Sequence, residues 1–229
     1  MKILALETAT EACSAALLVE DEMLERFQVA PREHTRLILP MVYSLLDEAG
    51  LELANLDALA FGRGPGSFTG VRIAAGIVQG LGLGADLPIV PVSTLASMAQ
   101  HYLASNDCST LFTALDARMG EVYWGVYQAD SHGLVQPMAD ESVLQAREVA
   151  FSAPLCGNCA GIGSGWKAYR DILCERLNGC VQSIDPECYP HASAVALLGQ
   201  DGFLKQRAVA PEHALPVYLR DTVARKKGE

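Results

Sequence analysis

The chain has 229 residues, half of them hydrophobic, and a formal net charge of −10. That is enough apolar chain to build a substantial core shared between two small lobes. The acidic balance excludes a protein that grips nucleic acid unaided, because phosphate contacts need clustered Lys and Arg.

The one basic cluster, Arg220, Arg225, Lys226 and Lys227, lies at the C-terminal end. It reads as a solvated tail or as an auxiliary nucleic-acid contact. Seven scattered cysteines, an odd number, fit reduced thiols and a cytoplasmic location. Cys156-Gly-Asn-Cys159 has metal-ligand spacing, but Cys174, Cys180 and Cys188 supply no second close pair, so buried thiols are expected rather than a zinc knuckle. No secretory signal is expected, since the opening apolar run is short and Glu7 interrupts it. The apolar stretch 71–83 is read as too short to span a bilayer and is broken by Arg72 and Gln79, so no membrane role is expected.

In chain order, strands are predicted at 3–7, 13–19 and 24–29, separated by polar turns. A helix follows at 35–49, with Leu37, Ile38, Met41, Val42, Leu45, Leu46 and Ala49 at helical spacing and Pro40 near its start. A strand at 56–62 leads into the loop Gly62-Arg63-Gly64-Pro65-Gly66-Ser67-Phe68-Thr69-Gly70-Val71-Arg72. Ser67 stands where a helix N-cap is expected. The helix after it carries Gly76, Gly80 and Gly84 every fourth residue. Each costs a helix ~1 kcal/mol relative to alanine, which calls for a packing reason such as close approach of another backbone. A strand at 89–92 and a helix from Ser93 or Thr94 complete the first half.

The second half repeats the order. Strands are predicted at 111–116, 121–128 and 134–138, a helical piece at 145–151, a strand at 155–162, a helix at 164–177, an extended piece at 180–184 and a helix at 191–205. The polar stretch 104–107 divides a first lobe, 1–105, from a second, 106–229, with the helix at 191–205 and the tail returning toward the first lobe. The fold class is therefore α/β and duplicated.

In each half the first strand ends in an acid: Glu7 before Thr8-Ala9-Thr10, and Asp116 before Ala117-Arg118-Met119-Gly120. A carboxylate beside a tight turn, once per lobe, resembles the phosphate and magnesium hairpins of the actin, sugar kinase and chaperone ATPase superfamily. The resemblance becomes specific at Gly64-Pro65-Gly66-Ser67-Phe68-Thr69-Gly70-Val71-Arg72, which is similar to the signature of the bacterial TsaB (YeaZ) family. The opening hairpin, Asp116-Ala117-Arg118-Met119-Gly120-Glu121-Val122-Tyr123-Trp124 and Pro216-Val217-Tyr218-Leu219-Arg220 agree with that family, so the match spans the whole chain.

The resemblance implies a duplicated actin-like (ASKHA, RNase H-like) fold of two lobes, each with a mixed five-stranded sheet and helices. It implies a non-catalytic subunit that pairs with its paralogue TsaD and with the ATPase TsaE. Together they form threonylcarbamoyladenosine next to the tRNA anticodon. It further implies tRNA contact mainly through partners, a homodimer when TsaD is absent, no cofactor of its own, and ATP or ADP and a metal on the partner subunits.

The residues themselves agree with a chain that performs no chemistry. A metal pair on a helix needs imidazoles at i and i+4, and the fourth residue after His34 is Ile38. His101, His132, His191 and His213 are isolated in sequence and are expected at the surface or at helix caps. No lysine follows the glycine loop as a P-loop requires, and Gly-x-Ser-x-Gly is absent. Glu7 and Ala9 stand where an ATP site wants Asp and Gly, so Glu7, Thr8, Thr10 and Asp116 are read as vestigial phosphate loops. An autonomous ATPase or kinase, and a metallopeptidase-like hydrolase, are the competing readings. The expected partner surface is formed by the helices at 35–49 and 67–83, through Leu37, Met41, Leu45, Gly70, Arg72, Ile73, Gly76, Ile77 and Gly80.

Overall fold

The structure, a computed structural model, describes residues 1–151 and 157–220. Strands β1 (Lys2–Glu7), β2 (Ala12–Val19) and β3 (Glu22–Val29) form an antiparallel meander. Strands β4 (Ala58–Gly62) and β5 (Ile89–Val92) add in parallel to β1, giving the order β3-β2-β1-β4-β5. The run Ile3-Leu4-Ala5-Leu6 is apolar at every position because both faces of the sheet are covered. Leu4 and Leu6 enter one core with helices α1 (His34–Ala49) and α2 (Phe68–Ala85), whereas Ile3 and Ala5 enter another with α5 (Ala192–Leu204).

The second sheet has six strands, where five were expected. Strands β6 (Thr110–Arg118), β7 (Glu121–Ala129), β8 (Val135–Pro137), β10 (Cys159–Ile162) and β11 (Ser183–Asp185) take the order β11-β10-β6-β7-β8. The sixth strand, β9 (Ser142–Gln145), pairs with the other end of β7. It occupies part of the expected helical piece at 145–151, which shrinks to a single 3₁₀ turn, Ala146–Glu148. The expected strand at 155–162 is seen from Cys159 onward; Cys156 lies outside the described residues. Helix α4 (Ser164–Arg176) buries Trp166 and Leu173 against Phe112, Ala114 and Trp124, and the indole N–H donates to the Phe112 carbonyl at 2.8 Å.

Helix α3 (Thr94–Leu103) belongs to the first half by sequence, yet Leu95, Met98 and Ala99 pack with Leu111, Leu115 and Tyr127 of the second sheet. Helix α5 belongs to the second half and covers the first sheet. Each half thus lends one helix to the other. After α5 the chain runs back as an extended strap: Val209 bridges Ile89, the Gln79 amide donates to the Ala214 carbonyl at 3.3 Å, and the Val217 N–H donates to the Arg63 carbonyl at 2.8 Å.

Candidate functional site

The turn after β1 is closed. Glu7 and Thr8 are fully buried and Ala9 nearly so. One Glu7 oxygen accepts from the Ala9 N–H at 2.7 Å and the other from the Thr94 hydroxyl at 3.0 Å. Gly62 lies flat against the carboxylate, where a Cβ would collide with it. Burial, only partly offset by these donors, pushes the Glu7 carboxyl up to about 7. Helix α2 closes the other side of the turn. The Ser67 N–H donates to the Ala9 carbonyl at 2.7 Å, the Thr8 hydroxyl donates to the Gly70 carbonyl at 2.8 Å, and Cβ atoms at Gly66 or Gly70 would strike the Ala9 and Thr8 carbonyls. The glycines of the loop therefore serve this close approach of backbone to backbone.

A nucleotide with its magnesium does not fit this arrangement. The acid faces Gly62 and Thr94 instead of a cleft, and the Ala9 N–H that a phosphate would need is taken by Glu7. Of the vestigial set in the first lobe, only Thr10 reaches the cleft between the lobes. It lines a cavity of about 240 Å³ with Glu11, Leu115, Ser164, Lys167 and Glu187. Asp116, across the cleft, is engaged locally: it accepts from the Arg118 N–H at 2.8 Å and the Tyr169 hydroxyl at 3.1 Å, and pairs with the Arg118 guanidinium at 3.1 Å.

Helix α2 presents two opposite faces. Gly70, Val71, Ala74, Ala75, Val78 and Gly82 are buried. On the other side Arg72, Gly76, Gly80, Leu83 and Gly84 are exposed, with Ile73 and Ile77 half-buried along its edge. At Gly76, Gly80 and Gly84 a Cβ would meet nothing within 4 Å. Among the described residues no backbone comes close to them, so the packing reason expected for these glycines is not met there. At 18 residues α2 is also longer than the stretch read from sequence, and long and apolar enough by composition to cross a membrane. Its buried face, however, is set into the core above β1 and β4.

Two of the expected contact residues do not reach this surface. Leu45 is fully buried in the first core, because it shares the inner stripe of α1 with Ile38 and Val42. Gly70 is buried against the Thr8 carbonyl. Leu37 and Met41 are half-buried at the margin of the same core.

His132 and His213 are exposed and His191 is the N-cap residue of α5, in line with the surface-or-cap expectation, whereas His34 and His101 are drawn into tertiary contacts. His34 is buried, its Nε2 2.9 Å from the Thr10 carbonyl and 3.2 Å from that of Ala12, so it pins the first turn to α1. His191 lies between Phe27 and His101 in a parallel stack, with ring centroids 4.0 and 3.6 Å apart, and its Nδ1 is 3.1 Å from the Glu25 carboxylate. Residues so far apart in sequence leave no local pattern by which this stack could be read. Arg225, Lys226 and Lys227 lie outside the described residues; Arg220 is half-buried, its guanidinium bound to Glu121 and to the Ala117 carbonyl.

A family model described as TsaD, tRNA N6-adenosine threonylcarbamoyltransferase, matches residues 27–227. The chain is 46% identical to the tRNA threonylcarbamoyladenosine biosynthesis protein TsaB of Escherichia coli K12, covering 99% of this chain and 98% of that one. It is 31% identical to the Bacillus subtilis protein of the same name, over 99% and 97% of the two chains. The solved structure of YeaZ from Pseudomonas aeruginosa superposes with a TM-score of 0.87 at 43% identity, covering 95% of this chain and 99% of that one. Full-length agreement in sequence and in fold, together with the glycine loop clamped on the first turn, places this chain in the TsaB family, on a duplicated actin-like fold.

Proposed function

We propose that this chain serves tRNA threonylcarbamoyladenosine formation as a subunit without an active site of its own. In this reading it pairs with a TsaD enzyme through the open face of α2 and the neighbouring margin of α1. The single observation that carries the reading is the row Gly76, Gly80 and Gly84, each open to its surroundings on a helix whose opposite side is packed. Three glycines cost such a helix roughly 2–3 kcal/mol relative to alanine, with no contact among the described residues to offset it. A partner helix approaching closely supplies the missing reason. The absence of chemistry is supported by the closed first turn and by His34, whose ring nitrogen is committed to backbone carbonyls. On the same reading TsaE joins the assembly, nucleotide and metal reside on the partners, tRNA is held mainly by them, and the exposed face pairs with a second copy when TsaD is absent. The assembly works in the cytoplasm.

The test is reconstitution. With the other subunits held fixed, omission of this chain should abolish tRNA threonylcarbamoylation. Gly76→Trp or Gly80→Trp should block co-purification with TsaD while the far-ultraviolet circular dichroism of the isolated chain is retained. Unchanged pairing in both variants would place the interface elsewhere. Calorimetry with ATP and magnesium tests the competing ATPase: tight binding with turnover by the isolated chain would overturn the scaffold reading.

A further inference from the structure

At the first turn of α2 the open face ends in an exposed sandwich. Phe68 is 62% exposed and Tyr218 47% exposed, with ring centroids 6.3 Å apart. The Arg72 guanidinium carbon lies 3.2 Å from the Phe68 centroid and 4.8 Å from that of Tyr218, and Nη1 donates to the Phe68 carbonyl at 3.0 Å. Tyr218 comes from the strap and is fixed on both sides, by Val217 on the Arg63 carbonyl and by Arg220 on the Ala117 carbonyl. The sandwich is therefore held by tertiary structure. Among the described residues Arg72 pairs with no carboxylate, a state it shares with Arg32, Arg63, Arg147, Arg170, Arg176 and Arg207; the two exposed rings that hold its guanidinium are what mark it.

An arginine ordinarily loses side-chain freedom when it binds. Here two rings and a carbonyl have already fixed the guanidinium, and its remaining N–H groups form a planar fork matched to a carboxylate. A nucleic-acid backbone is the poorer occupant: it recruits several cations together, and Arg72 is the sole basic residue of α2. Gly76 lies one turn further along the same exposed side. We infer that Arg72 is a preformed anchor for a carboxylate of the TsaD partner, seated at the end of the glycine face. This rests on the pairing proposed above.

The experiment measures equilibrium binding of TsaD to the full chain and its variants, at low and high salt. Arg72→Ala is expected to weaken binding roughly tenfold or more, the size of an interface hot spot, and to flatten the salt dependence. Arg72→Lys keeps the charge but loses the fork, and should also bind more weakly than the parent. Tyr218→Ala should lie between Arg72→Ala and the parent, while Tyr218→Phe keeps the sandwich and should match the parent. The Arg72 variants should keep the parent's far-ultraviolet circular dichroism and lose no more than about 1 kcal/mol of stability, the size of an exposed cation–π contact. Parent-like affinity in both Arg72→Ala and Arg72→Lys overturns the inference. So does a loss confined to self-association of the chain, or one confined to tRNA retention. Gly76→Trp separates the two levels. If it too leaves TsaD binding unchanged, the pairing face itself is wrong; if it blocks binding while the Arg72 variants bind normally, only the carboxylate anchor falls.

Discussion

Glu7 is a carboxylate enclosed by the backbone of Ala9 and Gly62 and by the Thr94 hydroxyl, with no cation beside it among the described residues. Its folded value, pushed up to about 7 against an ordinary 4.5, makes the folded state bind more protons than the unfolded one between those values. Stability from this group is therefore fully present below pH 4.5 and is lost as pH rises through 7. Glu7→Gln mimics the protonated form: its amide oxygen accepts from Ala9 and its NH₂ can donate to the Thr94 hydroxyl. We expect the variant to be more stable than the parent at pH 8, by up to about 3 kcal/mol, and to match it near pH 4.5. Urea unfolding across this range checks the point; parallel pH profiles for the two proteins would refute it. The Glu7 carboxylate serves as an internal prop, and the neighbouring Cys13 thiol, pushed up to about 11 by burial and by Glu7, is held inert beside it.

At the scale of elements, α2 uses one residue type for two purposes. Gly66 and Gly70 let its start press on the first turn, whereas Gly76, Gly80 and Gly84 leave its outer side bare. Substitution by alanine separates the two. Gly70→Ala should destabilise the chain by about 2 kcal/mol or more, since the new methyl meets the Thr8 carbonyl. Gly76→Ala and Gly80→Ala should each stabilise the isolated chain, by ~0.5–1 kcal/mol, because their Cβ atoms enter open space on a helical backbone. Urea midpoints decide it. A destabilised Gly76→Ala would reveal a contact inside the chain and remove the case for an external one. The glycine row was legible in the sequence because 3.6-residue periodicity puts every fourth residue on one side. Which side faces the core was not legible, since Val71, Ala74 and Val78 differ little in polarity from Ile73 and Ile77.

Across the whole molecule, the halves are tied by the exchange of α3 and α5 and by polar contacts between lobes. Glu141 of the second lobe accepts from the Ser93 hydroxyl at the start of α3 and from Tyr127. The strap ends on the second-lobe hairpin through Arg220. A cut between residues 105 and 106 should therefore yield a first fragment that does not fold alone, because it carries the exposed inner face of α3 and lacks α5 over Ile3 and Ala5. Co-expression of the fragments should restore a folded complex, read by circular dichroism and gel filtration. A stable, monomeric 1–105 fragment would contradict this. The same junction holds the Phe27, His191 and His101 stack. Burial, and then the neighbouring His191, hold the His101 imidazole below its usual range, against smaller opposing pulls from Glu25 and Asp185. A depressed imidazole makes the open state bind more protons, so the junction loosens as pH falls through about 6.5. Hydrogen exchange should show α3 and α5 losing protection in acid in the parent and keeping it in His101→Phe, which retains a ring in the stack.

The amino-acid sequence determined most of the elements and their order, β9 and the turn after it excepted, since alternation, helical periodicity and glycine placement are local properties of the chain. It also marked the Gly64–Arg72 loop as the informative segment and put an acid at the end of the first lobe's opening strand and another two residues before the end of the second lobe's. Tertiary structure alone decided that Glu7 is walled in, that α3 crosses to the second lobe, that Leu45 points inward, and that Arg72 is held between two rings. The physical reason is the same in each case. An apolar stripe states that a surface must be covered but not by what, and long-range contacts such as Gly62 on Glu7 or Tyr218 on Arg72 leave no periodic trace in the chain.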